Sequence, residues 1–519
     1  MAIVYPLANG NWSTVANWYS GGVAYGQLPL STDDVYADGK TVTIDQDITV
    51  NLLTTLQRSG GTTGGGFNCT TARTISSVTI TGTYNCLNLT STGVIQNVIS
   101  TNISSFTSGA VNIGTVNITG TSGTVNVTAT NLFQTGYISG GHCIYNAGTA
   151  TLNVIGNTIG NSSFGIANNN GILNFTGNIQ ATAGSNASIS QNGASGTTNI
   201  TGNLIGGLSS NGWCVYNAIG TVNILSNQTM NGTTGIGVYS NAGVTNWGTV
   251  GNPITITGAP SSAASGLYAC YLAGGGTVTL YGNIVLQNYS YSTSGGLFRA
   301  GSTSGVMTIN GNITGGTVAN TIGLNIENTG TVTVNGNVTG GSNATNTPAI
   351  SMSQAGTINL NGNATAGSFP AINSSVTTAK FNLLGNVTNV AGMPAYYGSY
   401  NIKISPTVAQ QFTFQDTSNA NRVIATSNIS PGAPAIANVR FGTIYGSSSE
   451  FTGTLRVPNP TTVALGVLTD NTTGTMLMTP SDFWNTLSST LTTSGSIGER
   501  LKTASTVQTN GDQLASYIV

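Results

Sequence analysis

The side chains that could catalyse a reaction are few in this chain, and they lie far apart. No Asp or Glu occurs from Ile48 to Ile326, and Glu327 stands alone among the later repeats, with Arg299 about one repeat before it. Hydrolysis of a glycosidic bond usually requires two carboxyl groups about 5–10 Å apart, which a single Glu does not supply. We therefore predict no catalytic residues and a non-enzymatic protein, in which Glu327 and Arg299 form an isolated, solvated ion pair.

The remaining reactive side chains form neither a catalytic nor a metal-binding pattern. His142 is the sole histidine, and Cys143 follows it directly in a strand-like run, so their side chains should point to opposite faces. One histidine and five irregularly spaced cysteines do not supply the ligand set of a zinc site. We predict no metal site and no cofactor. We expect the cysteines to be buried thiols, with a Cys69–Cys86 disulfide between adjacent coils as the alternative.

A tyrosine-rich stretch is the sequence candidate for ligand binding. It spans residues 267–296 and contains five tyrosines, of which Tyr289 and Tyr291 share one face of an extended run. Exposed tyrosines can stack on sugar rings, so we predict that Tyr289 and Tyr291 bind a glycan or a receptor. Aromatic packing within the fold is the alternative for this stretch.

The composition excludes several classes of partner. Only 4% of the 519 residues are charged and the net charge is −1, whereas about 25% of the residues of an ordinary globular protein are charged. No basic field is present to attract nucleic acid or an anionic membrane, and no apolar run is long enough for a membrane-spanning helix. We predict no nucleic-acid partner and no membrane insertion. The first residues lack the pattern of a secretion signal, so we expect synthesis in a cytoplasm without a signal peptide.

A repeat is the dominant pattern of the sequence. A turn Asn, usually preceded by Gly, closes a strand-like run at intervals of 21 to 31 residues. A period in this range is typical of solenoids. The turn residues are Asn157, Asn178, Asn203, Asn227, Asn252, Asn283, Asn312, Asn337, Asn363 and Asn386.

Each repeat contains two or three short strand patterns. In TVTVNGN, Val332 and Val334 alternate with polar residues, which predicts one aliphatic and one polar face. Gly336 and Asn337 follow as turn residues that tolerate left-handed backbone angles. Stacking of such coils places equal residues above one another about 4.8 Å apart, where Asn and Thr can hydrogen-bond and like charges repel. We predict an all-β fold, a right-handed parallel β-helix (solenoid) with internal Val and Ile columns.

The pattern divides the chain into four predicted regions. They are an N-terminal cap over residues 1–37, the solenoid over 38–390, a β-rich C-terminal domain over 391–460 and a segment of short helices over 461–519. The cap should shield the edge of the first coil. Its aromatic residues are Trp12 and Trp18. We interpret the five acids of residues 1–50 as turn and edge residues, with a calcium site as the alternative. These acids are Asp33, Asp34, Asp38, Asp45 and Asp47.

The last region should form short helices with polar caps. In TPSDFWNTL, Thr479 is suited to the N-cap and Pro480 to the first turn. Helices this short are not stable alone and must dock on another surface. We therefore predict an assembly or attachment role for their apolar residues, which are Phe483, Trp484, Leu487, Leu501, Leu514 and Ile518.

Two stretches resemble known proteins. The run from Val439 to Trp484, VRFGTIYGSSSEFTGTLRVPNP followed by TTVALGVLTDNTTGTMLMTPSDFW, together with SGSIGERLKTASTV after it, resembles a C-terminal cassette of tailed-bacteriophage structural proteins from marine and environmental viruses. The N-terminal NWSTVANW and LPLSTDDVYADGKTVTID are similar to the opening coil of G8-type β-helix proteins. The cassette covers about 80 residues, and the repeats resemble those of many β-solenoid fibres.

The resemblance implies a virion appendage protein. On this basis we expect a non-enzymatic structural component at the virion surface, such as a tail fibre, head fibre or decoration, which projects from the particle and adheres to the host. The implied partners are copies of the chain itself, with a homotrimer favoured, other virion proteins and a host-surface glycan. The alternatives are a tailspike-type polysaccharide depolymerase and a bacterial surface adhesin or filament subunit.

Overall fold

The computed structural model divides the chain into two compact units, Met1–Gly432 and Ala433–Val519. It describes residues 1–388 except for short gaps at 60–64, 83–85, 91, 106–112, 135–140, 161–164, 182–186, 206–211, 231–234, 259–260, 265–266, 287–288, 292–295, 320, 328, 344–346, 375–378, 384 and 386. Beyond residue 388 it describes 396–398, 401–404, 411–415, 421–425, 444–445, 451–452, 461, 463, 465–469, 472–473, 475–476, 494, 499–500 and 503.

The first unit is a parallel β-solenoid, which confirms the predicted all-β fold class. Each coil contributes one strand to each of two extended sheets, and most of the later coils add a short strand to a third. We call these sheets 1, 2 and 3. Equivalent strands of successive coils pair side by side in parallel, so every coil is hydrogen-bonded to the coils before and after it. The right hand of the coil stays a prediction.

Sheet 1 contains the strands with alternating aliphatic and polar residues. Val332 lies opposite Met307 of the preceding coil and Ile358 of the following coil. The strands of this sheet are Ile3–Pro6, Asp34–Tyr36, Ile48–Thr54, Thr74–Gly82, Ile95–Ser105, Thr124–Gln134, Thr151–Gly160, Ile172–Thr176, Thr197–Thr201, Thr221–Ile224, Val244–Trp247, Thr277–Leu286, Val306–Asn310, Thr331–Val334, Thr357–Leu360, Lys380–Leu383 and Asn401–Ile404.

Sheet 2 contains the second strand of each repeat, and sheet 3 follows the Gly–Asn corner. The strands of sheet 2 are Gly10–Asn11, Thr41–Thr43, Gly66–Cys69, Leu87–Leu89, Ile113–Ile118, Gly141–Asn146, Ile166–Asn168, Ala187–Gln191, Trp213–Asn217, Gly235–Ser240, Leu267–Leu272, Phe298–Ala300, Leu324–Ile326, Ile350–Met352, Ile372–Ser374, Tyr396–Gly398 and Gln411–Gln415. Those of sheet 3 are Ile179–Ala181, Leu204–Ile205, Gln228–Met230, Ile254–Gly258, Ile313–Thr314, Val338–Thr339, Ala364–Thr365 and Val387–Thr388, together with the second half of Thr277–Leu286.

Antiparallel strands cover the N-terminal edge of sheet 1. Ile3–Pro6 pairs in parallel with the next coil on one side and antiparallel with Trp18–Ser20 on the other, and Trp18–Ser20 pairs antiparallel with Val23–Ala24. The 3₁₀ helix Val15–Asn17 leads into this hairpin, and the side chains of Trp12 and Trp18 are fully buried. A parallel stack leaves an unpaired edge at its end, and these short strands cover it.

The N-terminal acids serve as hydrogen-bond acceptors that join neighbouring chain segments. Burial alone would raise the pKa of Asp33, but hydrogen bonds from Leu30 N–H, the Tyr25 hydroxyl and Ala2 N–H outweigh it and hold that pKa below its usual value. Asp45 accepts bonds from Ser13 in the same way. The other three acids bind Asn51, Arg58 and Thr74. This agrees with the interpretation of these acids as turn and edge residues.

The interior of the solenoid consists of stacked aliphatic columns, as the alternation predicts. In Thr221–Ile224 the two aliphatic side chains are buried and Thr221 and Asn223 lie on the outer side. The same alternation recurs in Thr331–Val334 and Thr357–Leu360. Because each buried side chain contacts its equivalents one coil away, no coil has a core of its own and stability depends on stacking.

The corner between sheets 1 and 3 requires glycine because the backbones of successive coils approach closely there. A Cβ at Gly311 would lie 1.8 Å from the carbonyl oxygen of Gly282, and a Cβ at Gly336 would lie 2.0 Å from that of Gly311. Asn337 tolerates left-handed backbone angles but does not adopt one: among the described residues Asp38 is the only non-glycine with a positive φ. Contact between coils explains why glycine recurs at this corner, and a φ of +141° to +155° favours glycine there as well at Gly156, Gly177, Gly202 and Gly282.

The asparagines of this corner act through their side chains. Asn312 Oδ1 accepts a hydrogen bond of 2.8 Å from the N–H of Asn337, and Asn337 Oδ1 accepts one of 3.0 Å from the N–H of Asn363. Each Asn therefore satisfies a backbone donor of the next coil, which would otherwise be unpaired at the bend.

A second ladder of asparagines follows the outer surface of sheet 1. In each step the Nδ2 group of one residue donates to Oδ1 of its equivalent one coil earlier, at 2.8–2.9 Å. This confirms the predicted hydrogen bonding along stacked Asn columns. The ladder comprises Asn97, Asn126, Asn153, Asn174, Asn199, Asn223 and Asn246.

A third, fully buried ladder lies where sheet 2 turns into sheet 1. Asn146 donates to Asn168 Oδ1 at 2.9 Å, and Asn168 donates to Gln191 Oε1 at 2.8 Å. Asn168 also donates to the carbonyl of Gly171 at 3.0 Å and so satisfies a backbone group of the turn. The amide NH2 groups of this ladder donate within their own turn and to the adjacent coil, which lowers the cost of burying them.

The C-terminal part of the chain forms hairpins. Gln411–Gln415 pairs antiparallel with Asn421–Ala425 at the end of the first unit. The second unit contains the pairs Ile444–Tyr445 with Phe451–Thr452 and Leu468–Thr469 with Thr472–Thr473. Its described residues also include a helical segment, in which the hydroxyl of Thr503 donates to the carbonyl of Glu499 at 2.9 Å.

Candidate functional site

A column of aromatic residues on the outer face of sheet 2 is the strongest candidate for ligand contact. Tyr216, Tyr239 and Tyr271 occupy equivalent positions in three successive coils, and Arg299 occupies the same position in the next. These positions point outward because the intervening residues fill the core. We define the aromatic stripe as Trp213, Tyr216, Tyr239, Tyr268 and Tyr271 together with Arg299 and Glu327.

The rings of the aromatic stripe pack on one another along the stack. Trp213 stacks on Tyr239 with ring centroids 4.3 Å apart, and on Tyr216 with centroids 5.1 Å apart. Tyr239 and Tyr271 meet edge to face at 5.3 Å. Trp213, Tyr239 and Tyr271 are only partly buried, so part of the aromatic column is exposed to solvent. Such amphipathic surfaces are typical of recognition sites.

The stripe ends in a charged pair that is embedded among tyrosines. Arg299 forms a salt bridge with Glu327, donates a hydrogen bond of 3.0 Å to the Tyr268 hydroxyl and lies 4.4 Å from the ring centroid of Tyr271. Glu327 also accepts a bond of 2.7 Å from Asn325. The predicted pair is confirmed, but its description as isolated and solvated is wrong, because the two side chains are only 26% and 19% exposed.

Burial governs the electrostatics of the pair. It raises the pKa of Glu327 above the ordinary value, and the attraction and hydrogen bonding of Arg299 only partly oppose that rise. A carboxyl group whose folded-state pKa is raised stabilises the fold below its unfolded pKa and loses that stabilisation as pH rises through the folded pKa. At neutral pH the burial of the Glu327 carboxylate therefore opposes part of the stabilisation that the ion pair supplies.

Arg299→Met should make the stability of the protein more sensitive to pH. The substitution removes the group that lowers the pKa of Glu327, so this pKa should rise further and the loss of stability on going from about pH 4 to about pH 7 should increase. Thermal unfolding followed by circular dichroism at several pH values measures the effect. The control is Arg299→Met combined with Glu327→Gln, in which the added pH dependence should disappear. An equal decrease in Tm at every pH would contradict this explanation.

Tyr289 and Tyr291, the two tyrosines predicted to bind a ligand, lie on a short strand that precedes the stripe strand Phe298–Ala300 in sequence. Tyr289–Tyr291 pairs in parallel with Ser261–Ala264, so the long insertions of two consecutive coils are stacked as well. These insertions lead into the strands Leu267–Leu272 and Phe298–Ala300, which carry part of the stripe. The side chains of both tyrosines lie outside the described residues, and their role in binding stays a prediction.

The six apolar residues predicted to act in assembly lie outside the described residues. They are Phe483, Trp484, Leu487, Leu501, Leu514 and Ile518. Their assignment to assembly or attachment stays a prediction.

The cysteines and the histidine are structural. All five cysteines are buried free thiols, so the alternative Cys69–Cys86 disulfide is absent. Burial raises the pKa of Cys270 to about 12, which leaves that thiol protonated and unreactive. His142 is buried and stacks on Tyr145 with centroids 5.5 Å apart. Among the described residues, no three His, Cys, Asp or Glu side chains are grouped closely enough to hold a metal ion.

No family model, curated protein or solved structure matches this chain. No helix within the described parts is both long and apolar enough to cross a lipid bilayer.

Sequence reasoning missed Trp213, Tyr216 and Tyr239 as site residues. Alignment of the second strand of each repeat, WCVYN above GIGVYS and LYACYL, would have placed the three tyrosines in one column.

Proposed function

We propose that the protein is a non-enzymatic structural component of a tailed-phage virion, a rigid fibre or decoration that contacts the host surface. The observation that carries the proposal is the continuous, nearly charge-free stack of coils, in which backbone pairing, aliphatic columns and asparagine ladders all run along one axis. Such an array resists unfolding and proteolysis because each coil is held on both sides. The resemblance of residues 439–484 to phage structural proteins supports the virion as its location.

We propose the aromatic stripe as the surface that contacts a host glycan. The Arg299–Glu327 pair is neutral as a whole, and the remaining residues of the stripe are uncharged, so a neutral polysaccharide fits its chemistry better than a strongly acidic one. Partly exposed phenol and indole groups combine apolar area with hydrogen-bonding capacity, as a sugar surface requires.

One observation favours a polysaccharide depolymerase as the second candidate. The raised pKa of Glu327 is the property that a general acid needs near neutral pH. The nearest acids in sequence are Asp47 and Asp416, so the second carboxyl group of a glycosidase would have to come from the ends of the chain or from another chain. Proton donation by Glu327 alone does not complete this chemistry.

Two measurements test the proposed function. Mass spectrometry of purified virions should find the intact chain, and its absence would overturn the structural role.

The purified protein should bind polysaccharide extracted from the host surface without releasing new reducing ends or unsaturated sugars. Tyr239→Ala should weaken this binding at least about tenfold, whereas Tyr281→Ala on sheet 1 should not. Release of reducing ends would favour the depolymerase, and equal binding by both variants would exclude the stripe.

A further inference from the structure

The outer face of sheet 1 carries most of the exposed aliphatic side chains of the solenoid. Among the described residues between 50 and 388, nine large hydrophobic side chains are exposed; Ile219 lies at a bend, Val250 at a turn, and Val78 on the sheet 1 strand Thr74–Gly82 but outside the columns described below. The other six, which are 40–58% exposed, all lie on sheet 1 strands: Ile95, Ile99, Ile155, Ile172, Val244 and Val306. An apolar patch concentrated on one face of a sheet marks an interaction surface.

These side chains fall into columns that flank the asparagine ladder. Ile95, Ile172, Val244 and Val306 belong to one column in which the intervening positions are Thr. Ile99 and Ile155 belong to a second column on the other side, again separated by Thr. We define the sheet 1 face as these two columns and the ladder between them. Its β-branched side chains have few rotamers and its amides are already bonded, so little entropy is lost when it is covered.

The sheet 1 face has no charge that would oppose contact with an identical face. No Asp, Glu, Lys or Arg occurs between Arg73 and Arg299. Two copies of a charged face repel each other, because identical charges meet across a symmetric contact. A neutral face of amide, hydroxyl and aliphatic groups avoids that penalty.

The spacing and the area of the face also fit a copy of the same chain. Its rows repeat at the inter-strand distance of about 4.8 Å, and an identical solenoid presents rows at the same interval. The strands that carry the face, from Ile95–Ser105 to Val306–Asn310, span eight intervals, roughly 38 Å, and four residues of strand width add roughly 13 Å. The product is about 500 Å² on each copy and about 1,000 Å² in total, which is the smallest total area expected of a specific interface.

We propose that the sheet 1 face is the surface through which copies of this chain pack against one another in a homo-oligomer, with the coils of neighbouring copies in step. This inference does not depend on the virion role or on the glycan site, since a surface adhesin could assemble in the same way. Asparagine ladders and β-branched columns from two copies would then interdigitate, as paired sheets do in other stacked β structures.

Light scattering coupled to size exclusion tests the proposal on the full chain. The unmodified protein should have the mass of a multimer. The test variants are Ile155→Lys and Val244→Lys, at positions where the original side chains are 58% and 40% exposed. Each variant should weaken association at least about tenfold, because it places like charges opposite each other. The matched control is Ile219→Lys, which changes an equally exposed aliphatic residue (41%) outside the face and should leave the mass unchanged.

The outcomes of this experiment separate the sheet 1 face from other surfaces. Circular dichroism of each variant establishes that the solenoid is still folded, because these exposed side chains contribute little to the core. A monomeric unmodified protein would overturn the proposal. A multimer that is unaffected by both face variants, or one that Ile219→Lys disrupts equally, would place the interface elsewhere and overturn it too.

Discussion

Gly311→Ala should destabilise the solenoid by about 3 kcal/mol, the upper end of the usual cost of overpacking. The added methyl group would lie 1.8 Å from the carbonyl oxygen of Gly282 in the preceding coil. That neighbour is a backbone atom of a strand paired with the coils on either side, so it cannot move aside as a flexible side chain would. We expect a lower Tm and faster amide exchange in Val306–Asn310 and Ile313–Thr314, measured by circular dichroism and hydrogen exchange.

Gly251→Ala is the matched control for this experiment. A Cβ at Gly251 meets nothing within 4 Å, and φ there is not positive. Replacement of glycine at such a position restricts the unfolded chain and should be neutral or stabilising by about 0.4–1 kcal/mol. If both variants behaved alike, close approach between coils would not be the reason for glycine at the corner.

Asn168→Ala should cost about 1–3 kcal/mol, because it leaves buried polar groups without partners. The substitution removes the acceptor of the 2.9 Å bond from Asn146 and the donors to Gln191 Oε1 and the Gly171 carbonyl. Water does not reach this site, since Asn146, Asn168 and Gln191 are all fully buried. Thermal unfolding of the variant measures the loss.

Asn170→Ala serves as the control for the buried ladder. Asn170 lies two residues away in the same turn, is exposed, and accepts one bond of 3.2 Å from Ser195. Its replacement should change the free energy of unfolding by less than about 0.5 kcal/mol. A comparable loss in both variants would indicate that the turn itself, and not the buried ladder, is sensitive to substitution.

The sequence predicts the stacked core well because the signals for it are local. The alternation of Val332 and Val334 with polar residues identifies the buried face, and the recurrence of the turn Asn identifies the coil. These two periods together imply parallel pairing, since equal residues can be superimposed only in a stack. The asparagine ladder follows from the same reasoning.

Other features depend on contacts that no local pattern contains. The role of Gly311 became evident only from the distance between backbones of successive coils. The aromatic stripe was missed because Tyr216, Tyr239 and Tyr271 lie on the shorter strand, whose surroundings vary from repeat to repeat. Burial of the Arg299–Glu327 pair results from Tyr268 and Tyr271, about one coil earlier in the chain.

The way each coil bonds only to its two neighbours has an evolutionary consequence. Duplication or loss of one complete repeat would rejoin equivalent residues and restore every ladder, with no distant contact to repair. The length of the molecule can therefore change in whole steps while the ends and their attachments are retained, whereas a partial repeat would shift the register and expose an aliphatic column to water.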